Sequence, residues 1–206
     1  KQQCSNRDPR LAQTIRTPGY TRIGATTKLA PDLANSITGY HVVKFVTGTA
    51  QDAYNKSFND LPIFRSAEVY LNFAEAAMEA NHSAEAITYV NKVRARVGMP
   101  GLPAGLTGDA LRQRIHNERR VELALEGNRY FDVRRWHKPD EDLSDTDRWV
   151  TAAHITHMND GSYKYERTTI KERQCYTNKW LKMPVPLSEV NNMRAITGED
   201  WQNPGW

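Results

Sequence analysis

Residues 65–80 read RSAEVYLNFAEAAMEA, and this stretch decides the fold. It is rich in Ala, Glu and Leu, the strong helix formers. Tyr70, Phe73, Ala74 and Ala77 recur at three- and four-residue spacing, which predicts a helix with one apolar face. Asn81-His82-Ser83 interrupts the pattern, and Ser83 is a suitable N-cap for a second helix. That helix is predicted to run to about Val97, with Ala86, Val90, Val93 and Val97 on one stripe. Gly98 then supplies a C-cap and Pro100 a stop. A large residue, a large–small pair and small residues at the crossing fit a tetratricopeptide-like hairpin. The period occurs once, so a generic packed helical hairpin fits equally well.

Downstream, 101–107 form a Gly/Pro loop and Thr107 or Asp109 opens a third helix through ALRQRIHNERRVELALEG. Leu111, Ile115, Val121 and Leu125 are its expected apolar stripe; Gly127 interrupts or ends it, and residues 128–136 continue as a further helix. Upstream, residues 1–62 read as mostly irregular. Thr17-Pro18-Gly19-Tyr20 is a turn signal, and the β-branched and aromatic run from Gly39 to Phe45 predicts one short strand. Residues 137–180 read as polar and irregular but hold Trp149, Tyr163, Tyr165, Tyr176 and Trp180. In the tail, Pro184 and Pro186 flank Val185 and force an extended segment, after which Ser188 caps a short helix from Glu189 to about Met193. The expected architecture is all-α for the most part: helical hairpins, long irregular loops and at most a short β-hairpin. It is read as a single domain over 1–206, with its helical core at 63–136.

Composition agrees. The 206 residues are 39% hydrophobic and 25% charged, typical of a globular chain rather than a disordered one. No run approaches the roughly 20 apolar residues that span a bilayer. The net charge of +4 is spread along the chain, unlike the concentrated patch of a nucleic-acid binder. Two cysteines, Cys4 and Cys175, make no Cys-x-x-Cys motif; one disulfide between them stays open.

The densest charge pattern is Glu118, Arg119, Arg120, Glu122, Glu126, Arg129, Asp132, Arg134 and Arg135. Glu118, Glu122 and Glu126 sit four apart on one helix face. A glycosidase needs two carboxyls facing each other across the sugar, about 5–9.5 Å apart, and neighbours along one face do not bracket a substrate. A partly buried Arg/Glu network locking the helix to its neighbours is the favoured reading. His154 and His157 lack the Glu of a helical zinc motif and read as a surface loop pair. No P-loop, Rossmann fingerprint or Gly-x-Ser-x-Gly elbow occurs.

These motifs, in this order, resemble the SusD/RagB family. The run from Leu61 to Ala76 is similar to its "RxAEVxLxxAEA" helix, and Val90-Asn91-Lys92-Val93-Arg94-Ala95-Arg96-Val97-Gly98 to the ending of the next helix. Glu118 to Leu123, then Glu126 to Asp132 and Arg135-Trp136, resemble "ERRxEL…EGxRxxDxxRW". Met183-Pro184-Val185-Pro186 and Gln202-Asn203-Pro204-Gly205-Trp206 resemble its "PIP" segment and terminal "QNPGY". Ser66 and Trp206 depart mildly from the family pattern.

The resemblance implies a C-terminal portion of an outer-membrane, cell-surface nutrient-binding lipoprotein of Bacteroidetes-type bacteria. Its lipid anchor would lie upstream, so Cys4 is not the lipidated residue. It implies glycan or peptide binding without catalysis or cofactor, and delivery to a SusC-like TonB-dependent transporter. The shared framework residues Glu118, Glu122, Glu126 and Arg129 are then structural. Proteins that bind sugars stack them on exposed aromatics, and Trp149, Tyr163 and Tyr165 are the expected ligand contacts. The alternatives are a carbohydrate-active enzyme on a helical scaffold, or a subunit that binds only the transporter.

Overall fold

The structure, a computed structural model, describes residue 4 and residues 6–30, 32–36, 38–51, 53–60, 62–137, 149–173 and 177–206. Cys175, and with it the pairing of Cys4 and Cys175, lies outside the described residues, as does Tyr176. The chain forms two compact units, residues 1–129 and 130–206.

The first unit is built on three helices, α2 (Ser66–Glu79), α3 (Ser83–Arg96) and α4 (Gly108–Glu122), preceded by the single turn α1 (Arg10–Thr14). α2 and α3 form the expected hairpin. Its connection works because Asn81 takes a left-handed conformation (φ 64°), which a short polar side chain tolerates, and the His82 amide reaches back to the Ala77 carbonyl at 2.8 Å. α3 ends where Gly98 turns left-handed (φ 68°) and the Met99 amide donates to the Arg94 carbonyl at 3.0 Å. Beyond it, Asn91 Oδ1 accepts the Leu102 amide at 2.7 Å. The chain passes so close that a Cβ on Gly101 would lie 3.1 Å from Asn91 Nδ2.

The core lies between these helices. Ala67, Leu71, Ala74, Ala77 and Met78 of α2 meet Ala86, Val90 and Val93 of α3 and Leu111 and Ile115 of α4. The small residues let α2 and α3 approach closely, and the branched residues fill the remaining space. The stripe is rotated from the one expected. Leu71 and Met78 are buried, whereas Tyr70 and Phe73 stay 37% and 40% exposed at the rim, in ring contact with Tyr89. Lys92 Nζ lies 4.1 Å from the Tyr89 ring centroid. Large amphipathic rings sit well at such a border. Caps differ as well: His82, not Ser83, is the N-cap of α3, and no side chain caps it.

The third helix is shorter than its apolar pattern predicts. It ends at Glu122, Leu125 has φ 66° and is 56% exposed, and Gly127 is also left-handed. Electrostatics terminates it. Lys44 Nζ reaches the carbonyls of Glu122 (3.2 Å) and Ala124 (2.8 Å), and Arg65 Nη2 the Glu122 carbonyl (2.8 Å). Cations satisfying the last carbonyls of a helix suit its dipole. The turn then brings the Glu126 carboxylate back onto the same two cations, 2.6 Å from Lys44 Nζ and 2.8 Å from Arg65 Nη2.

The strand expected at Gly39–Phe45 is not formed. Val42 makes only an isolated bridge to Ile15, Tyr20 another to Leu29, and Phe45 turns to φ 68°. Val42 and Phe45 are largely exposed, so no buried face holds an extended run there.

The second unit holds most of α5 (Asn128–Arg135), the antiparallel ribbon of β1 (Trp149–His157) and β2 (Tyr163–Glu172), a 3-10 turn at Asn178–Leu181 and α6 (Leu187–Thr197). The reading of 137–180 as irregular is thus corrected: the β-hairpin lies here. α6 is longer than expected and starts after Pro186 rather than at a Ser188 cap.

The tail is clasped by side chains. Val185 has the one backbone N–H between two prolines. Gln202 Oε1 accepts it at 2.9 Å, and Gln202 Nε2 donates to the Val185 carbonyl at 3.0 Å, imitating a strand pair. Trp206 Nε1 donates to the Lys179 carbonyl at 3.0 Å, and its ring meets Trp180 edge-on at 4.6 Å. Trp180 therefore pins the tail. No helix among the described residues is long and apolar enough to cross a membrane.

Candidate functional site

Two places carry chemistry: the carboxylates buried against α4, and the exposed ribbon of the second unit.

At α4, Glu118 accepts Arg10 Nη1 at 2.6 Å and Arg94 Nη1 at 2.7 Å. Glu122 accepts Arg65 Nη1 (2.6 Å) and Arg96 Nη2 (2.7 Å) on one oxygen and Arg10 Nη1 (2.9 Å) on the other. Burial alone would raise the Glu122 carboxyl. Hydrogen bonds from Arg10 and Arg65 and the charges of Arg65 and Arg96 outweigh it and hold the pKa below the ordinary value. For Glu126 the same opposition, with Arg65 and Lys44 as partners, also ends in a lowered pKa. A glycosidase acid must keep its proton near neutrality; Glu122 and Glu126 are driven the other way. An open cleft of about 250 Å³ lies beside them, lined by Arg10, Lys44, Arg65 and Arg96 among others. Arg10, Lys44 and Arg65 turn their donors inward to carboxylates and carbonyls rather than into that space. The network is a clamp between α1, α2, α3 and α4, as the spacing of its residues predicts.

The ribbon forms because both segments are rich in Thr, Tyr, Ile and Val, which favour extended backbone. A five-residue loop closes it. The Met158 amide donates to the Ser162 carbonyl at 2.8 Å, Gly161 is left-handed, and Asp160 Oδ1 accepts the Ser162 amide at 2.9 Å. The register pairs His157 with Tyr163, Ile155 with Tyr165, Ala153 with Arg167 and Thr151 with Thr169. Paired residues and alternate residues share a face, so these eight form one surface. Contacts agree with the register. The His157 and Tyr163 rings lie 5.0 Å apart, and Arg167 Nε donates to Thr151 Oγ1 at 3.1 Å. The opposite face carries Ala152, His154, Thr156, Thr168 and the Lys164–Glu166 ion pair (2.6 Å).

The structure therefore brings Tyr163 and Tyr165 together, about 7 Å apart along β2, 51% and 38% exposed. Trp149 is at the opposite end of the ribbon. It is the first residue of β1, paired through its backbone with Glu172 beyond a register shift at Val150/Thr151. Eight residues separate it from His157, about 27 Å of strand. His154 and His157 lie on a strand rather than in a loop, and their three-residue spacing puts them on opposite faces. Among the described residues no group of three His, Cys, Asp or Glu is placed to hold a metal. Arg167, His157 and Ile155 escaped sequence reasoning as neighbours of the tyrosines. The signal was the every-second-residue order Tyr163, Tyr165, Arg167, Thr169.

The sequence model of the SusD family matches residues 1–206. The chain belongs to the SusD family. Among SusD-family relatives, SusD-like protein P25 of Formosa agariphila is 30% identical over 156 residues, covering 74% of this chain and 26% of that protein. SusD-like protein P2 of the same organism is 37% identical over 105 residues, 46% of this chain and 21% of that protein. A crystal structure of a SusD-like protein from Bacteroides fragilis superposes with a TM-score of 0.73 at 25% identity, covering 98% of this chain and 40% of that one. The chain thus spans between a fifth and two fifths of the length of these SusD-family proteins. The mostly helical fold, with a single two-stranded ribbon among the described residues, is shared with that SusD-like structure.

Proposed function

We propose that the chain is the C-terminal portion of a cell-surface glycan-binding protein without catalytic activity. In this reading it captures a glycan at the outer membrane and passes it to a SusC-like TonB-dependent transporter. The ribbon face bearing Tyr163 and Tyr165 is its ligand platform. One observation carries the platform: two tyrosines at alternate positions of one strand, half-exposed on one face. Rings so placed offer flat apolar surfaces for sugar C–H faces, with hydroxyls at their edges for hydrogen bonds. Membership of the SusD family supports glycan uptake as the setting. The lowered pKa values of Glu122 and Glu126 weigh against the enzyme reading.

The test is retention in affinity gels containing plant and algal polysaccharides, followed by product analysis of the retained glycan. Retardation without new reducing ends is expected, and Tyr163→Ala with Tyr165→Ala abolishes it. Released oligosaccharide products would overturn the non-enzymatic reading. Retardation that survives both substitutions would remove the platform.

A further inference from the structure

From the charge pattern of the tyrosine face we infer that its ligand is an anionic glycan, one bearing carboxylate or sulfate groups. This rests on the platform reading above and adds the ligand's charge. Between the turn and the register shift the face consists of Thr151, Ala153, Ile155, His157, Tyr163, Tyr165, Arg167 and Thr169. It holds one full positive charge, a histidine and no carboxylate. The acids of the hairpin lie outside this stretch of the face. Glu166 is on the opposite face, paired with Lys164. Asp160 is in the turn, bonded to Ser162, and Glu172, paired with Trp149, lies past the register shift, about 14 Å of strand beyond the Ala153–Arg167 pair.

Arg167 is placed for recognition. Its Nε–H is held by Thr151 Oγ1 at 3.1 Å, which orients the guanidinium plane. Among the described residues its four terminal N–H donors meet no acceptor. Other arginines of the second unit are engaged: Arg134 with Trp180 and Tyr130, Arg135 with Asp132, Arg194 with Asp200. A guanidinium with two parallel N–H donors at its free end matches the paired oxygens of a carboxylate or sulfate. It stands one strand repeat, about 7 Å, beyond Tyr165 in the row begun by Tyr163. A sugar ring on the tyrosines thus presents an acidic substituent, its own or its neighbour's, to Arg167.

The test compares charged oligosaccharides with their neutralised counterparts on the full chain by titration calorimetry: oligogalacturonides against their methyl esters, and sulfated galactan oligosaccharides against desulfated ones. Binding of the charged member about tenfold tighter than its neutral form, in either pair, is expected, and the pair that shows it names the acidic group. In Arg167→Gln this preference collapses toward equality, while in Lys164→Gln, on the other face, it persists. Equal affinity within both pairs, or a preference that survives Arg167→Gln, overturns the inference and leaves the platform standing. Binding insensitive to Tyr163→Ala and Tyr165→Ala is a different result: it removes the platform itself.

Discussion

Arg10 and Glu122 stand 112 residues apart in the chain, yet Arg10 Nη1 donates to Glu122 Oε2 at 2.9 Å with both side chains almost fully buried. The same guanidinium holds Asp8 and Glu118. One arginine thereby fixes the N-terminal segment against α4, where few apolar contacts are available to do so.

Removing that arginine leaves Glu118 and Glu122 buried with fewer cations. Breaking one partner out of a buried pair costs about 3–5 kcal/mol. Arg10→Met should lower unfolding stability by that order in urea denaturation. A loss below about 1 kcal/mol would mean the contact adds nothing to the fold.

The carboxyl pKa shifts set an acid limit. Glu122 and Glu126 have folded-state pKa values below the ordinary 4.5. Their contribution to stability is therefore complete above that pH and is lost as pH falls through the lowered values. Thermal midpoints are expected to stay level from pH 7 to about 5 and to fall below 4.5 as protons compete with Arg10, Arg65, Arg96 and Lys44. Glu122→Gln should flatten that acid slope.

The early end of α4 separates two leucines that its apolar pattern treats alike. Leu111 is wholly buried and Leu125 is 56% exposed. Leu111→Ala should cost about 2–5 kcal/mol, and Leu125→Ala less than about 0.5 kcal/mol. Equal costs in denaturation would place Leu125 in the core and contradict the observed helix end.

Gln202 satisfies both backbone groups of Val185 across 17 residues. Gln202→Leu removes these two hydrogen bonds and a third, from the Asn203 amide to Gln202 Oε1 at 2.9 Å, each worth about 0.5–1.5 kcal/mol. Hydrogen exchange should show the Val185 amide losing protection while amides of α2 and α3 keep theirs.

What the sequence disclosed, and what it did not, follows from burial. The α2–α3 hairpin is legible because its buried face repeats with the helical period, and Gly98 marks its end. The Arg/Glu clamp is legible as four-residue spacing, although its partners Arg10 and Lys44 come from a segment with no periodic signal. Leu125 misleads because an apolar residue continues the stripe past the point where Lys44 and Arg65 draw the helix to a close. The ribbon is hidden for the opposite reason. Neither of its faces is buried, so in β2 the alternation of aromatic and charged residues lasts only from Tyr163 to Glu166 and lapses after it. Tyr163 and Tyr165 stood out as aromatics, but their partners His157 and Arg167 follow only from the register.

The central claim is that Tyr163 and Tyr165 form the glycan platform. Calorimetric titration of the unaltered chain and the Tyr163→Ala/Tyr165→Ala double variant with an oligosaccharide retained in affinity gels tests it most directly, with circular dichroism confirming that both are folded. The account predicts a loss of about thirtyfold or more in affinity. Equal affinity of the two proteins would contradict it.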